Sequence, residues 1–71
     1  MSDTFKPKSK HIREASYDPA TRTVLVTFHN GVRYQHRGVP QEAWDNWGRY
    51  RSAGEFYHGV IRRYPGAKLG K

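Results

Sequence analysis

Residues 23–37 read TVLVTFHNGVRYQHR, two alternating runs joined across Asn30-Gly31. β-Branched and aromatic side chains at every second position suit strands with one face buried, so the segment reads as a β-hairpin. Parity decides its register. A two-residue Asn-Gly loop would pair Phe28 with Arg33 and set apolar residues opposite charged ones. A three-residue loop, His29-Asn30-Gly31, pairs Phe28 with Val32, Val26 with Tyr34 and Val24 with His36. Only the second arrangement keeps the two faces chemically distinct. It is the type I turn plus bulge, with Gly31 in the left-handed region. Val24, Val26, Phe28, Val32 and Tyr34 then face the core, and Thr23, Leu25, Thr27, Arg33, Gln35 and Arg37 face away.

The flanking sequence supplies the remaining elements. Ile12 to Tyr17 reads as a strand, and its apolar residues Ile12, Ala15 and Tyr17 share a face only if the strand is bulged near Arg13-Glu14. Asp18-Pro19-Ala20-Thr21 fits a type I turn, with Asp at the first position and Pro fixing φ at the second. Val39-Pro40 opens a helix whose Ala43, Trp44, Trp47 and Tyr50 form one apolar stripe, although Gly48 weakens it. Ser52, followed three residues later by Glu55, caps a second helix. Phe56, Tyr57, Val60, Ile61 and Tyr64 are its apolar face, and Pro65-Gly66 ends it. The expected fold is α+β: a three-stranded antiparallel sheet followed by two short helices packed on one face.

A chain of 71 residues without Cys can build only one thin core, and its 3 Phe, 2 Trp and 5 Tyr must supply much of it. The lack of thiols excludes zinc ribbons and thiol redox chemistry and suits a reducing compartment; cytoplasmic localisation is the expectation. No apolar run in the first twenty residues resembles a signal peptide or a membrane span. Residues 1–10, MSDTFKPKSK, read as a disordered basic arm, residues 11–64 as the folded domain, and residues 65–71, PGAKLGK, as a flexible basic tail. Thirteen Lys and Arg against six Asp and Glu give a net charge of +7, which points to an anionic partner.

The run YDPATRTVLVTFHNGVRYQHRGVP, a short helix and then SAGEFYHGVIRRY resemble the KTSC domain over roughly Ile12 to Tyr64. The landmarks carrying the resemblance are Tyr17-Asp18, Phe28, Asn30-Gly31, Tyr34, Val39-Pro40, Ser52, Gly54, Phe56, Ile61-Arg62 and Tyr64. That family occurs at the C-terminus of some lysyl-tRNA synthetases and as stand-alone bacterial and phage proteins, and the resemblance implies RNA binding as one expectation. Two positions depart from the family pattern. Its central Tyr-x-Tyr reads Tyr34-Gln35-His36, so a role for the second tyrosine does not carry over, and Trp47 stands where an aliphatic residue is usual. As a short basic chain, the protein also resembles small phage proteins that bind host RNA polymerase and alter transcription.

Residues arranged for catalysis are lacking in the sequence. His11, His29, His36 and His58 are never three or four apart, so no metal site is expected; His36 is read as lining the sheet's edge. No nucleophile, acid–base pair or phosphate loop stands out, and neither an enzyme nor a cofactor is expected. The candidate partner-binding residues are therefore basic: Arg33 and Arg37 on the outer sheet face, Arg49 and Arg51 at the end of the first helix, and Arg62 and Arg63 at the end of the second. The arm adds Phe5 as a hydrophobic anchor among Lys6, Lys8 and Lys10. The leading expectation is a monomeric, non-catalytic regulator that binds bacterial RNA polymerase or another acidic protein surface. The alternative is an RNA-binding domain using the same basic surface, with Tyr34 or Trp44 stacking on unpaired bases. Trp44 and Trp47, three apart on a helix, suit a thin core better than a stacking platform.

Overall fold

In the computed structural model, residues 3–70 are described; Met1, Ser2 and Lys71 lie outside them. The chain runs β1 (Asp3–Phe5), β2 (Ile12–Asp18), β3 (Thr23–Phe28), β4 (Arg33–His36), α1 (Gln41–Arg49), α2 (Ala53–Gly59), a 3₁₀ turn (Ile61–Arg63) and β5 (Gly66–Gly70). The strands form one antiparallel sheet in the order β1-β2-β3-β4-β5.

The expected hairpin register is present residue for residue. Val24 pairs with His36 and Val26 with Tyr34. The Phe28 amide donates to the Val32 carbonyl at 2.9 Å, and Gly31 sits at φ +88°. The β2 bulge also falls where the apolar spacing requires it, between Ile12 and Glu14. It brings Ile12, Ala15 and Tyr17 onto the buried face together. Gly31→Val should cost roughly 1–3 kcal/mol, because a β-branched residue tolerates the left-handed region poorly. A melting temperature unchanged by that substitution would contradict the bulged turn.

Two expectations about the sheet need correction. Among the described residues there are five strands rather than three, because each segment read as a flexible end supplies an edge strand. Asp3, Thr4 and Phe5 pair with Tyr17, Ser16 and Ala15, which puts Phe5 on the buried face. Gly66, Ala67 and Lys68 pair with His36, Gln35 and Tyr34. Composition hides both strands, since they are short and largely solvated, as edge strands commonly are. A Cβ at Gly66 would collide with the His36 ring and the Gln35 carbonyl oxygen, so only glycine lets β5 lie this close to β4. The second correction follows directly. With β5 outside it, His36 lies on an inner strand and is 4% exposed.

The helices cover one face of the sheet, as expected. Pro40 precedes α1 as an extended cap residue without a side-chain hydrogen bond, while Glu42 stands in the positive first turn of the helix. Ser52 Oγ accepts from the Glu55 amide at 3.3 Å and starts α2. That helix stops at Gly59 rather than running to Tyr64; Val60 leaves helical geometry at φ −123°, ψ −61°, and the chain tightens into the 3₁₀ turn. The core beneath is aromatic. Trp44 stacks on Tyr17 at 5.4 Å, Trp47 lies edge-on to Trp44 at 5.7 Å, and Phe5 meets both indole rings edge-on. Buried polar atoms are partnered: Trp47 Nε1 donates to the Ala53 carbonyl at 3.1 Å, and the Tyr17 hydroxyl donates to the Val39 carbonyl at 2.6 Å.

Candidate functional site

The helical layer leaves one end of the sheet incompletely covered. There an open groove of about 630 Å³ runs between β4, β5, the end of α2 and the 3₁₀ turn. Strand parity builds one wall. Tyr34 and His36 point to the helix side of β4, and their partners Lys68 and Gly66 do the same on β5. The 3₁₀ turn builds the other wall, presenting the exposed Arg62 and the half-buried Tyr64. Phe28 lies edge-on to Tyr34 at 5.7 Å and to Tyr57 at 5.5 Å.

His36 and Tyr57 form the floor. His36 Nδ1 lies 3.1 Å from the Tyr64 carbonyl oxygen, and Nε2 lies 2.9 Å from the Tyr57 hydroxyl. A carbonyl only accepts, so in the neutral ring Nδ1 carries the proton and Nε2 accepts from Tyr57. Burial pushes the Tyr57 phenol above its ordinary range, the neighbouring Tyr34 adds to this, and the Arg62 guanidinium pulls it back. Tyr57 therefore stays protonated and donates. Tyr17, raised mainly by burial, likewise stays protonated and donates to the Val39 carbonyl. The pair fixes the positions of β4, α2 and the 3₁₀ turn, and with them Tyr34, Tyr64 and Arg62.

The structure redistributes the sequence candidates. Tyr34 is half-buried in the groove and Arg62 stands on its wall. Trp44, the other stacking candidate, is 6% exposed and already stacked on Tyr17, so its face is closed to a base. Phe5 is not a free anchor: it packs against Trp44 and Trp47, fixed there by β1 pairing. Lys8 and Lys10 share a concavity with Arg51, and Lys6 stands beside Lys8 in the next one. Arg33 lies on the opposite, helix-free face, and Arg37, Arg49 and Arg63 are exposed outside the groove. Sequence reasoning missed Tyr57, Tyr64, His58 and Lys68 as groove residues. For Lys68 the only available signal was its alternation with Gly66, visible once β5 is known to pair with β4.

Among the described residues no three His, Cys, Asp or Glu side chains gather as a metal site, and no helix is long and apolar enough to cross a membrane. The groove is suited instead to an anionic ligand with aromatic groups: Tyr34, Tyr57 and Tyr64 line it together with the cations Arg62 and Lys68, with no carboxylate in the lining.

A five-stranded antiparallel sheet carrying two short helices on one face defines a small two-layer α+β domain. The chain belongs to the KTSC domain family, whose sequence profile matches residues 8–64. A crystal structure of a KTSC domain protein from Yersinia pestis is similar to it at 32% identity, with a TM-score of 0.86, over 99% of this chain and 100% of that one. That correspondence includes both edge strands within its span. No curated protein matches the sequence.

Proposed function

We propose that this KTSC domain is a non-catalytic binding module for single-stranded RNA, held in the groove between β4, β5 and the 3₁₀ turn. The observation that carries the reading is that Tyr34 and Tyr64, both half-buried and held by packing, line one groove together with the cations Arg62 and Lys68. Base stacking needs a firm aromatic face, and the phosphates that follow need nearby positive charge. On the helix-free face of the sheet, where many RNA-binding sheets carry their aromatics, the outward side chains Ser16, Thr23, Leu25, Arg33 and Gln35 include no aromatic ring. Binding rather than reaction suits the floor as well, because His36 spends both ring nitrogens holding the groove together.

The test is fluorescence anisotropy with a labelled oligouridylate. Tyr34→Ala should weaken binding about 5- to 150-fold, the range expected for one lost stacking partner. Arg62→Glu should weaken it further, while Arg33→Glu on the opposite face should change it little. The wider reading is a phage-type regulator that docks on an acidic surface of bacterial RNA polymerase. It rests on the net charge and on Arg33, Arg37, Arg49 and Arg63, since Phe5 is engaged in the core. Absence of RNA binding at moderate salt, together with retention of polymerase from nuclease-treated bacterial lysate, would overturn the RNA reading in its favour.

A further inference from the structure

The groove does not end at its own rim. His58, which lines it, also lines a second concavity of about 560 Å³ with Lys8, Lys10 and Arg51. Lys8, Arg51 and Ala53 in turn line a third, of about 290 Å³, with Lys6 and Tyr50. His58 thus stands between the first two concavities and Lys8, Arg51 and Ala53 between the second and third, so the three adjoin in series as a basic trough from β5 to the C-terminal end of α1.

Two features of the trough point to a ligand. Its lining is strongly one-signed: Glu55 is the single carboxylate among the described residues of all three concavities. An aromatic side chain also stands at each end. Tyr34 and Tyr64 occupy the groove, and Tyr50, 52% exposed, occupies the far end. Tyr50 is the first residue beyond α1, where the backbone turns extended, and its ring rests 5.3 Å from Phe56. It is thus a supported ring with an open face.

We propose that the trough is a continuous track for single-stranded RNA, running from Lys68 and Tyr34 past His58 to Lys8, Arg51 and Tyr50, with Tyr50 as a second stacking platform. The proposal rests on the RNA reading of the groove and extends it. It lengthens the bound segment of the strand beyond the groove as far as Tyr50. The longest dimension of the domain is 28 Å, so the strand covered is short. It belongs at the low end of the roughly 4–16 nucleotides typical of small single-strand-binding folds. Cations between the aromatic stations would neutralise phosphates linking the stacked bases, the arrangement such a strand needs.

The decisive experiment compares labelled oligouridylates of about 3 and about 10 nucleotides on the full chain, within the size range of such sites. The longer strand should bind at least about tenfold more tightly. Tyr50→Ala should weaken the longer strand about fivefold or more, and the Lys8→Glu/Arg51→Glu pair should weaken it more strongly. Both changes should weaken the short strand far less than the longer one, and unchanged melting temperatures would show that the variants fold. Equal affinity for the two lengths, or a longer strand indifferent to both variants, overturns the track and leaves the groove reading standing. Failure to bind either length overturns the groove reading and the track with it. An oligoglutamate peptide bound as tightly as RNA, and lost in the Lys8→Glu/Arg51→Glu variant, overturns the track in favour of an acidic protein segment.

Discussion

Trp47→Ala is expected to destabilise the domain by about 3–5 kcal/mol, the range for deleting a large buried aromatic side chain. Trp47 is 1% exposed and packs against aromatic rings from β1, α1 and α2. It meets Phe5 from β1 at 5.3 Å, Trp44 at 5.7 Å, Tyr57 at 6.1 Å and Phe56 at 6.3 Å. Its Nε1 hydrogen bond to the Ala53 carbonyl closes the turn between the two helices. Removing the ring leaves that carbonyl without its donor and opens a cavity that a thin two-layer core cannot collapse to fill. A domain of this size has only roughly 4–10 kcal/mol of stability in total. Each kcal/mol moves the melting temperature of such a domain by about 4–8 °C, so a fall on the order of 20 °C should appear in thermal unfolding followed by circular dichroism. Trp47→Phe, which keeps a ring but loses the donor, should fall between wild type and Trp47→Ala. A drop of only a few degrees for Trp47→Ala would mean that the helices are held to the sheet by something other than this ring.

The same core explains what could be read from the sequence. The β3–β4 register was legible because it is local: seven residues either side of Gly31 contain both the alternation and the turn that select it. The β2 bulge was legible for the same reason, from the uneven spacing of Ile12, Ala15 and Tyr17. β1 and β5 were not legible, because their pairing is decided by distant partners. β5 buries almost nothing, with Gly66, Ala67, Lys68 and Leu69 all exposed, so it leaves no burial pattern to detect. β1 betrays itself only through Phe5, and one aromatic among lysines reads equally well as a free anchor. The groove escaped for a subtler reason. Parity correctly turned Tyr34 towards the helices, but facing a helical layer is not the same as being covered by it. α2 ends at Gly59, and the 3₁₀ turn that follows leaves Tyr34 and Tyr64 half-buried. Nor could spacing alone show that His36 would join Tyr57 and the Tyr64 carbonyl, 21 and 28 residues away.

If RNA occupies the groove and its continuation, affinity should fall about a hundredfold between 50 and 200 mM salt, for about five neutralised phosphates at a single-strand slope near −0.7 each. The cations that set this number are specific. Arg62 and Lys68 flank the tyrosines, and Lys8, Lys10 and Arg51 line the shared shoulder. Each is exposed, so its contribution is screened and appears in the slope of log affinity against log salt more than in the stability of the domain. Arg62→Ala should therefore flatten the slope by roughly one phosphate's worth and weaken all sequences alike. Tyr34→Ala should do the opposite: it should lower affinity at every salt concentration and leave the slope unchanged, because stacking releases no counterions. The two substitutions thus separate charge from stacking within one groove, measured by anisotropy titrations at several salt concentrations. A slope near zero in the wild-type protein would sink the claim that phosphates lie along these cations, whatever the affinity. A normal slope that Arg62→Ala leaves untouched, but that charge reversal at Arg33 and Arg37 flattens, would move the phosphate path to the other side of the domain.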